Sequence, residues 1–416
     1  MTDQTTVPSP IDLADAVPAE PHADVKRRLA AAVIAAREEV LGLSHRIHAD
    51  PETAFNEHHA AAWIAETLRG HGFAVEHPAG SLATAIRATY RGRRAAGGEG
   101  QEAGPRLAIL AEYDALPGLG HGCGHNTMAA SGVGAAIALA AIADELPGEI
   151  VFLGTPAEEH GSGKATMIRD GLFDGVDAAL MFHPCDRNHV ASEPMASEDV
   201  EIVFHGLQAH AASDPWRGKN ALDAMVLLFA SVGLWRQQLR PDARVHGIIQ
   251  EGGTAANIIP ERTRAWFMLR GTDQAAYEEM KPRFRSLVEA AALATDTTFD
   301  LTFSGGSMTM KQNLTLEARW VANAEAYGIV DQGPDPNSGS TDMGNVSWVC
   351  PTIHPELSIA PEGTPGHSIR FRDAAAGPVA DRTTLLAAVL VGQTAVELFL
   401  DPELVAAAWD DFRAGG

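Results

Sequence analysis

The stretch Leu107–Asn126, LAILAEYDALPGLGHGCGHN, limits the fold more than any other part of the chain. It opens on an apolar run, Leu107–Ala111, of the kind that makes a buried strand. The run then breaks into a Pro/Gly-rich loop, Leu116–Gly124, and Asp114, His121, Cys123 and His125 all fall within a dozen residues. A thiolate and an imidazole two residues apart on a glycine-rich turn can point into one pocket and share a metal ion. A carboxylate just upstream, Asp114, can orient an imidazole ligand. A surface loop that happens to carry histidines explains the same residues, so the rest of the chain has to decide.

The surrounding pattern alternates strand and helix. Helices are expected over Val25–Ala49, stopped by Pro51, and over Glu57–Leu68, ending at Gly70. Leu82–Tyr90 alternates as a strand, and the charged, glycine-rich Arg91–Pro105 reads as an exposed hairpin loop. A small-residue helix over Thr127–Asp144 follows the Cys/His loop. Strands at Glu149–Gly154 and Ala178–Phe182 flank TPAEEHGSGK and a short helix to Asp170. This order predicts an α/β fold with a mainly parallel central sheet, whose strand-end loops carry the site.

The character changes near Met195. Strands at Val200–Gly206, Val245–Glu251, Thr263–Arg270 and Phe299–Ser304, with helices at Asn220–Leu239 and Gln274–Thr295, have the order of a small α+β sandwich. The expected organisation is a flexible lead-in over 1–24, a discontinuous catalytic domain over 25–194 and 305–416, and an inserted domain over 195–304. Helices at Leu314–Tyr327 and Thr383–Leu400 close the first domain.

Composition narrows the partners. A length of 416 residues is more than one ordinary core needs. A net charge of -23 argues against nucleic acid and anionic membrane as partners. The polar, acidic N-terminus lacks the basic and apolar regions of a secretory signal, so a cytoplasmic protein is expected. Three cysteines without a CxxC pair make a disulfide framework improbable; Cys185 and Cys350 read as core thiols, and Cys123 between glycines does not.

Strand-end loops supply Cys123, His125, Glu159, His183 and His367 as candidate ligands, more than one tetrahedral site takes. Glu158 precedes Glu159, so one carboxylate can bind metal while its neighbour serves as a base. Read singly, a Glu-Glu pair is a solvated turn and His183 a buried structural histidine.

The motifs HADPETAFNE, EYDALPGLGHGCGHN, GTPAEEHGSGK, MFHP, GLQAHAASDPWRGKNALDA, GGTAANIIPERT, STDMGNVSW and TPGHS together resemble the di-metal metallopeptidase family M-twenty. That family holds aminoacylases, glutamate carboxypeptidases and indole-acetyl-amino-acid hydrolases. The resemblance runs from about Arg27 to Leu400, nearest to the branch with the p-aminobenzoyl-glutamate hydrolase subunits and dipeptidase-like proteins. Asn126, where indole-acetyl-type relatives carry Asp, favours that branch.

The resemblance implies Cys123, His125, Glu159, His183 and His367 as ligands of two divalent metal ions, with Cys123 where many relatives use a bridging aspartate. Zinc is the first expectation, and manganese, cobalt or nickel suit the same donors. It implies Glu158 as general base and acid, Asp114 as support for a ligand, and His210 as the histidine that crosses a dimer interface to the oxyanion. Asn257 and Arg270 stand at positions that hold a substrate carboxylate; Asn257 reads equally as a turn support before Pro260, and Arg270 as a surface ion pair. His354 is the rival of His367, which TPGHS favours. The implied protein is a homodimer, joined through the inserted domain as interface and lid, that hydrolyses the amide of N-acyl or N-aroyl amino acids or short dipeptides. The alternatives are a ureido or carbamoyl substrate, or a noncatalytic role within a heteromer.

Overall fold

The structure, a computed structural model, describes residues 13, 16, 19–92, 104–334 and 339–415. Most of the expected lead-in and of the loop over 91–105 lies outside the described residues. The chain divides into two compact units. One comprises Met1–Glu193, Met310–Ser338 and Asn345–Gly416, and the other Pro194–Thr309 with Gly339–Gly344.

The first unit is built on a six-stranded sheet. Its strands are β1 (Ala74–Glu76), β2 (Ile86–Tyr90), β3 (Arg106–Ala111), β4 (Glu149–Gly154) and β5 (Ala178–Leu180), with β11 (Thr352–Ile353) added late in the chain. The order is β1-β2-β4-β3-β5-β11. β4, β3, β5 and β11 run parallel, and β1 and β2 add an antiparallel edge. The fold is therefore mixed α/β with a mainly parallel centre. Because the four parallel strands share a direction, the residues that leave their carboxyl ends gather along one edge.

The middle of the sheet is wholly buried, as expected where helices cover both faces. The helix His125–Ala141 is buried on every side, and small residues let it approach closely. A Cβ on Gly132 would come within 3.0 Å of the Leu110 carbonyl oxygen on β3. The helix Pro378–Leu400 is long and apolar enough to cross a membrane by length and composition, yet 94% of its most apolar window is buried in this unit. It is a core helix.

Several boundaries differ from the sequence reading. The first helix is two, Ala23–Ala35 and Arg37–Ala49, broken only at Ala36, whose N–H still bonds the Ala32 carbonyl. The strand over Leu82–Tyr90 shrinks to β2, because Ala79, Leu82 and Ala85 close a turn ahead of it. The central helix starts at His125, earlier than Thr127, so two motif residues sit in its first turn. His183–Cys185 forms a separate strand, β6, paired in parallel with β12 (Glu356–Ser358). A last helix, Pro402–Ala414, was not anticipated; the Asp401 side chain caps it by accepting from Glu403 N and Leu404 N.

The second unit is an antiparallel sheet in the order β10-β7-β9-β8, formed by β7 (Ala196–His205), β8 (Arg244–Glu251), β9 (Arg262–Gly271) and β10 (Thr298–Ser307). Val200, Ile202 and Phe204 alternate inward along β7 and pack with Phe267, Leu269 and the helices Ala221–Trp235 and Gln274–Thr295. Side-chain caps from Asn220 and Asp273 start those two helices.

A buried ion pair ties the first unit's terminal helices. Lys26 and Glu397 are both within 1% of full burial and bond each other. Lys26 Nζ also donates to Asn323 Oδ1 at 2.9 Å and the Ala19 carbonyl at 2.7 Å, and Arg319 bonds the other Glu397 oxygen. Removing one partner leaves a buried charge uncompensated. Glu397→Ala should therefore lower the unfolding free energy by about 3–5 kcal/mol, read as a fall in the denaturant midpoint.

Candidate active site

Four strand ends bring the candidate residues of the first unit together. β3 ends into Glu112, Tyr113 and Asp114, and the loop beyond returns Cys123 and His125. Gly124 adopts φ 81° as the helix N-cap, and a Cβ there would lie 2.8 Å from Pro184 Cγ. Only glycine meets both demands. β4 ends into Thr155–Glu159, β5 leads to His183, and β11 leads to His354. His367 arrives on the TPGHS loop at φ 53°, its N–H held by the Gly122 carbonyl at 3.0 Å.

The donor atoms fall into three overlapping groups, each within 4.8 Å: Cys123, His125 and His183; Cys123, Glu159 and His367; and Glu112, His125 and Glu158. Cys123 Sγ lies 3.6 Å from His183 Nε2, and His367 Nε2 lies 3.4 Å from Glu159 Oε2. Cys123 is common to the first two groups. Glu158 belongs to the third group, with Glu112 and His125. His354 belongs to none of the three; it is buried with its ring 5.2 Å from that of His183, edge-on, and neither nitrogen has a hydrogen-bond partner.

Hydrogen bonds fix how the imidazoles face. His183 Nδ1 donates to the Pro184 carbonyl at 2.8 Å, and His125 Nδ1 donates to Asp114 Oδ1 and to the Asp114 carbonyl, both at 3.0 Å. Each ring thus presents Nε2 as a lone pair. Asp114 also accepts from Glu159 N–H at 2.9 Å, so one buried carboxylate joins both loops. Burial alone would raise Asp114, but the bond to and charge of His125, the Glu159 N–H and the Lys164 charge together outweigh it and hold its pKa below the usual carboxylate value. Burial pushes His183 down to about 4, which keeps it neutral, and pushes the Cys123 thiol well up. Burial also raises Glu159.

These residues fit a divalent cation. His125 Nε2 and Glu112 Oε2 face each other at 3.2 Å without a hydrogen-bond partner, and on the neutral ring with Nδ1 protonated both atoms are acceptors. The buried Glu159 Oε1 is likewise unpartnered. Facing acceptors in a dry pocket are costly unless a positive charge sits among them. Thiolate, imidazole and carboxylate are the donors that zinc and its neighbours take.

The sequence reading missed Glu112 and Lys164, which pair at full burial on the Nε2 side of His125. A signal was present, since residues two apart beyond a strand share a side, which groups Glu112 with Asp114. Asn126 donates to Ser44 Oγ and the Ala375 carbonyl, both at 2.9 Å. Asp there would lack the donors those partners require.

His210, Asn257 and Arg270 belong to the second unit. His210 Nδ1 accepts from Ala212 N at 3.1 Å and Ser213 N at 3.2 Å, which places its proton on Nε2 of an exposed ring. Asn257 is exposed, and its carbonyl accepts from Ala211 N, next to His210, at 3.1 Å. Arg270 Nε is buried without a hydrogen-bond partner.

With this geometry in place, the comparisons with known proteins are decisive. The profile of Peptidase family M20/M25/M40 matches residues 108–381. The chain belongs to that family. It is 36% identical over 412 residues to the Xaa-Arg dipeptidase of Mus musculus, covering 94% of this chain and 92% of that protein. It is 28% identical to a p-aminobenzoyl-glutamate hydrolase subunit of Escherichia coli (strain K12), covering 92% and 93%. The fold is shared with a solved Bacillus subtilis protein described as a dinuclear metal binding peptidase from the M20 family; the TM-score is 0.61 at 21% identity, covering 86% of this chain and 99% of that one. This M20 chain is a hydrolase.

Metal and proton compete for the Cys123 sulfur, so affinity should rise with pH. Cys123→Ala should lower the zinc bound per folded chain, measured by elemental analysis after dialysis. Native stoichiometry at native affinity in that variant would remove Cys123 from the metal site.

Proposed function

We propose that the protein is a metal-dependent amidohydrolase that cleaves the amide bond of N-acyl or N-aroyl amino acids or short dipeptides, with Glu158 as general base. The observation that carries this reading is the sharing of Cys123 by two donor trios, with Glu158 in the same loop as Glu159. Two trios with one common thiolate could hold a pair of divalent ions, and the Bacillus subtilis relative in fold is described as dinuclear. Zinc heads the proposal, with manganese, cobalt and nickel as rivals.

Bound ions would lower the pKa of a water and polarise the scissile carbonyl. The remaining work falls to side chains. Glu158 removes the proton of the attacking water and returns it to the leaving amine. Asp114 keeps His125 oriented and anchors Glu159. His210, reaching across the proposed dimer interface, offers its Nε2–H to the developing oxyanion of a second copy, and Asn257 and Arg270 are proposed to hold the carboxylate of the leaving amino acid. The names of the mouse and Escherichia coli relatives suggest Xaa-Arg dipeptides and p-aminobenzoyl-glutamate as first substrates to try.

The test is amine release from N-acetyl, N-aroyl and β-alanyl amino acids and dipeptides, with the enzyme loaded in parallel with zinc, manganese or cobalt beside a chelated control. Chelator-sensitive release is expected; silence with metal bound would overturn the reading, and ammonia with carbon dioxide from ureido substrates would redirect it. Glu158→Gln should cut kcat by roughly 10²–10⁴-fold while metal content is retained. An unimpaired rate would remove Glu158 from the mechanism.

We further propose a homodimer through the second unit. β8 is an edge strand exposing Ile248 and Ile249, and the helix Ala221–Trp235 exposes Val226, Leu227 and Leu234, the last at 76%. An open ladder edge beside apolar side chains is an association surface, and two copies pairing β8 to β8 would cover it with one two-fold axis. Ile248→Asp with Leu234→Asp should give a monomer by light scattering, and an unchanged mass would exclude this face.

A further inference from the structure

The loop that carries Glu158 and Glu159 is held at two backbone points, and the functional reading uses only one. Asp114 Oδ2 accepts from Glu159 N–H, as described. On the other side of Glu158, Ala157 N–H donates to Glu57 Oε1 at 2.9 Å. Ala157 is fully buried with φ 59°, a left-handed conformation that disfavours an L-residue and persists only where its surroundings enforce it.

Glu57 is built for that task. It is fully buried, and both oxygens are used. Oε1 also accepts from Phe55 N–H at 3.0 Å, and Oε2 accepts from Thr84 Oγ1 at 2.9 Å. The Thr84 carbonyl in turn accepts from Tyr113 Oη at 2.6 Å, on the segment between Glu112 and Asp114. Phe55, itself at φ 62°, lays its ring on Gly161, where a Cβ would come within 2.3 Å of Cε2. The strap Phe55–Glu57 therefore grips the loop at Ala157 and at Gly161. Glu57 belongs to none of the donor groups.

We propose that Glu57 is a positioning residue for Glu158. By accepting from Ala157 N–H, it locks the left-handed turn that sets the direction in which the Glu158 side chain leaves the loop. The role needs an acceptor at the right reach, not a negative charge. This inference rests on the amidohydrolase reading for its kinetic arm alone.

The test compares Glu57→Ala, Glu57→Gln and Glu57→Asp in the metal-loaded full chain. Glu57→Gln keeps an acceptor for both N–H groups and should stay within about threefold of the parent kcat. Glu57→Ala should lose about 10–100-fold in kcat, with KM and metal content changed less than twofold, because a misplaced base slows chemistry without weakening binding. Glu57→Asp keeps the charge, withdraws the acceptor by one methylene and should resemble Glu57→Ala, which also covers the case in which the alanine variant fails to fold. Adding Glu57→Ala to Glu158→Gln should cost less than a further twofold, whereas general structural damage would multiply.

A second readout needs no substrate. Amide hydrogen exchange over Thr155–Gly163 should quicken in the Ala and Asp variants and stay protected in the Gln variant. Unchanged exchange and kcat in Glu57→Ala, or a Gln variant as impaired as Ala beside a normal Asp variant, would overturn the proposal. A loosened loop in a protein that cleaves no amide would leave the clamp standing and sink the amidohydrolase reading instead.

Discussion

The Asp114 carboxylate is the interaction on which the site depends. It is 1% exposed and takes the His125 Nδ1 proton on one oxygen and the Glu159 N–H on the other. Those two bonds span the loops that follow β3 and β4, adjacent parallel strands. One charge thereby sets the tautomer of a donor imidazole and the backbone of a donor carboxylate together. A buried carboxylate without such partners would be too costly to keep ionised, so the fold and the site enforce each other.

Electrostatics then follow from burial. Desolvation holds His183 and His354 neutral, and it would do the same to Glu159 and Cys123 in the absence of positive charge. On His125 burial is outweighed by the neighbouring Cys123, Glu112 and Asp114 together, which raise its pKa, so a positive charge, whether proton or metal ion, is favoured at Nε2 beside Glu112. The pocket thus holds more lone pairs than protons. That is a poor design for a rigid core and a good one for a cation. The buried Lys164 bonds Glu112 and supplies positive charge on the Nε2 side of His125.

Much of this was legible in the chain. The Leu107–Ala111 and Glu149–Gly154 runs are apolar at nearly every position, as parallel strands covered on both faces must be, and they are β3 and β4 within a residue. The strand expected at Val200–Gly206 is the second half of β7, which has one covered face. The Cys/His loop and the Glu-Glu pair were visible because ligand chemistry uses few residue types. Glu57 was part of a noted motif but carried no sign of its role, since its partners, Thr84 and Ala157, lie 27 and 100 residues away. Lys164 gave no sign either, because a lysine in a glycine-rich loop is ordinarily solvated.

The sequence by itself determined which strands are buried, which loops carry donors and which family the motifs belong to. Those properties are local: they depend on side-chain periodicity and on residue type within short windows. Only the tertiary structure decided which donors share an atom, that Cys123 is common to two trios, that His367 and not His354 completes one of them, and that the Glu158–Glu159 loop is gripped on both sides. Those facts depend on contacts across scores of residues, made when parallel strands end side by side, and no local window contains them.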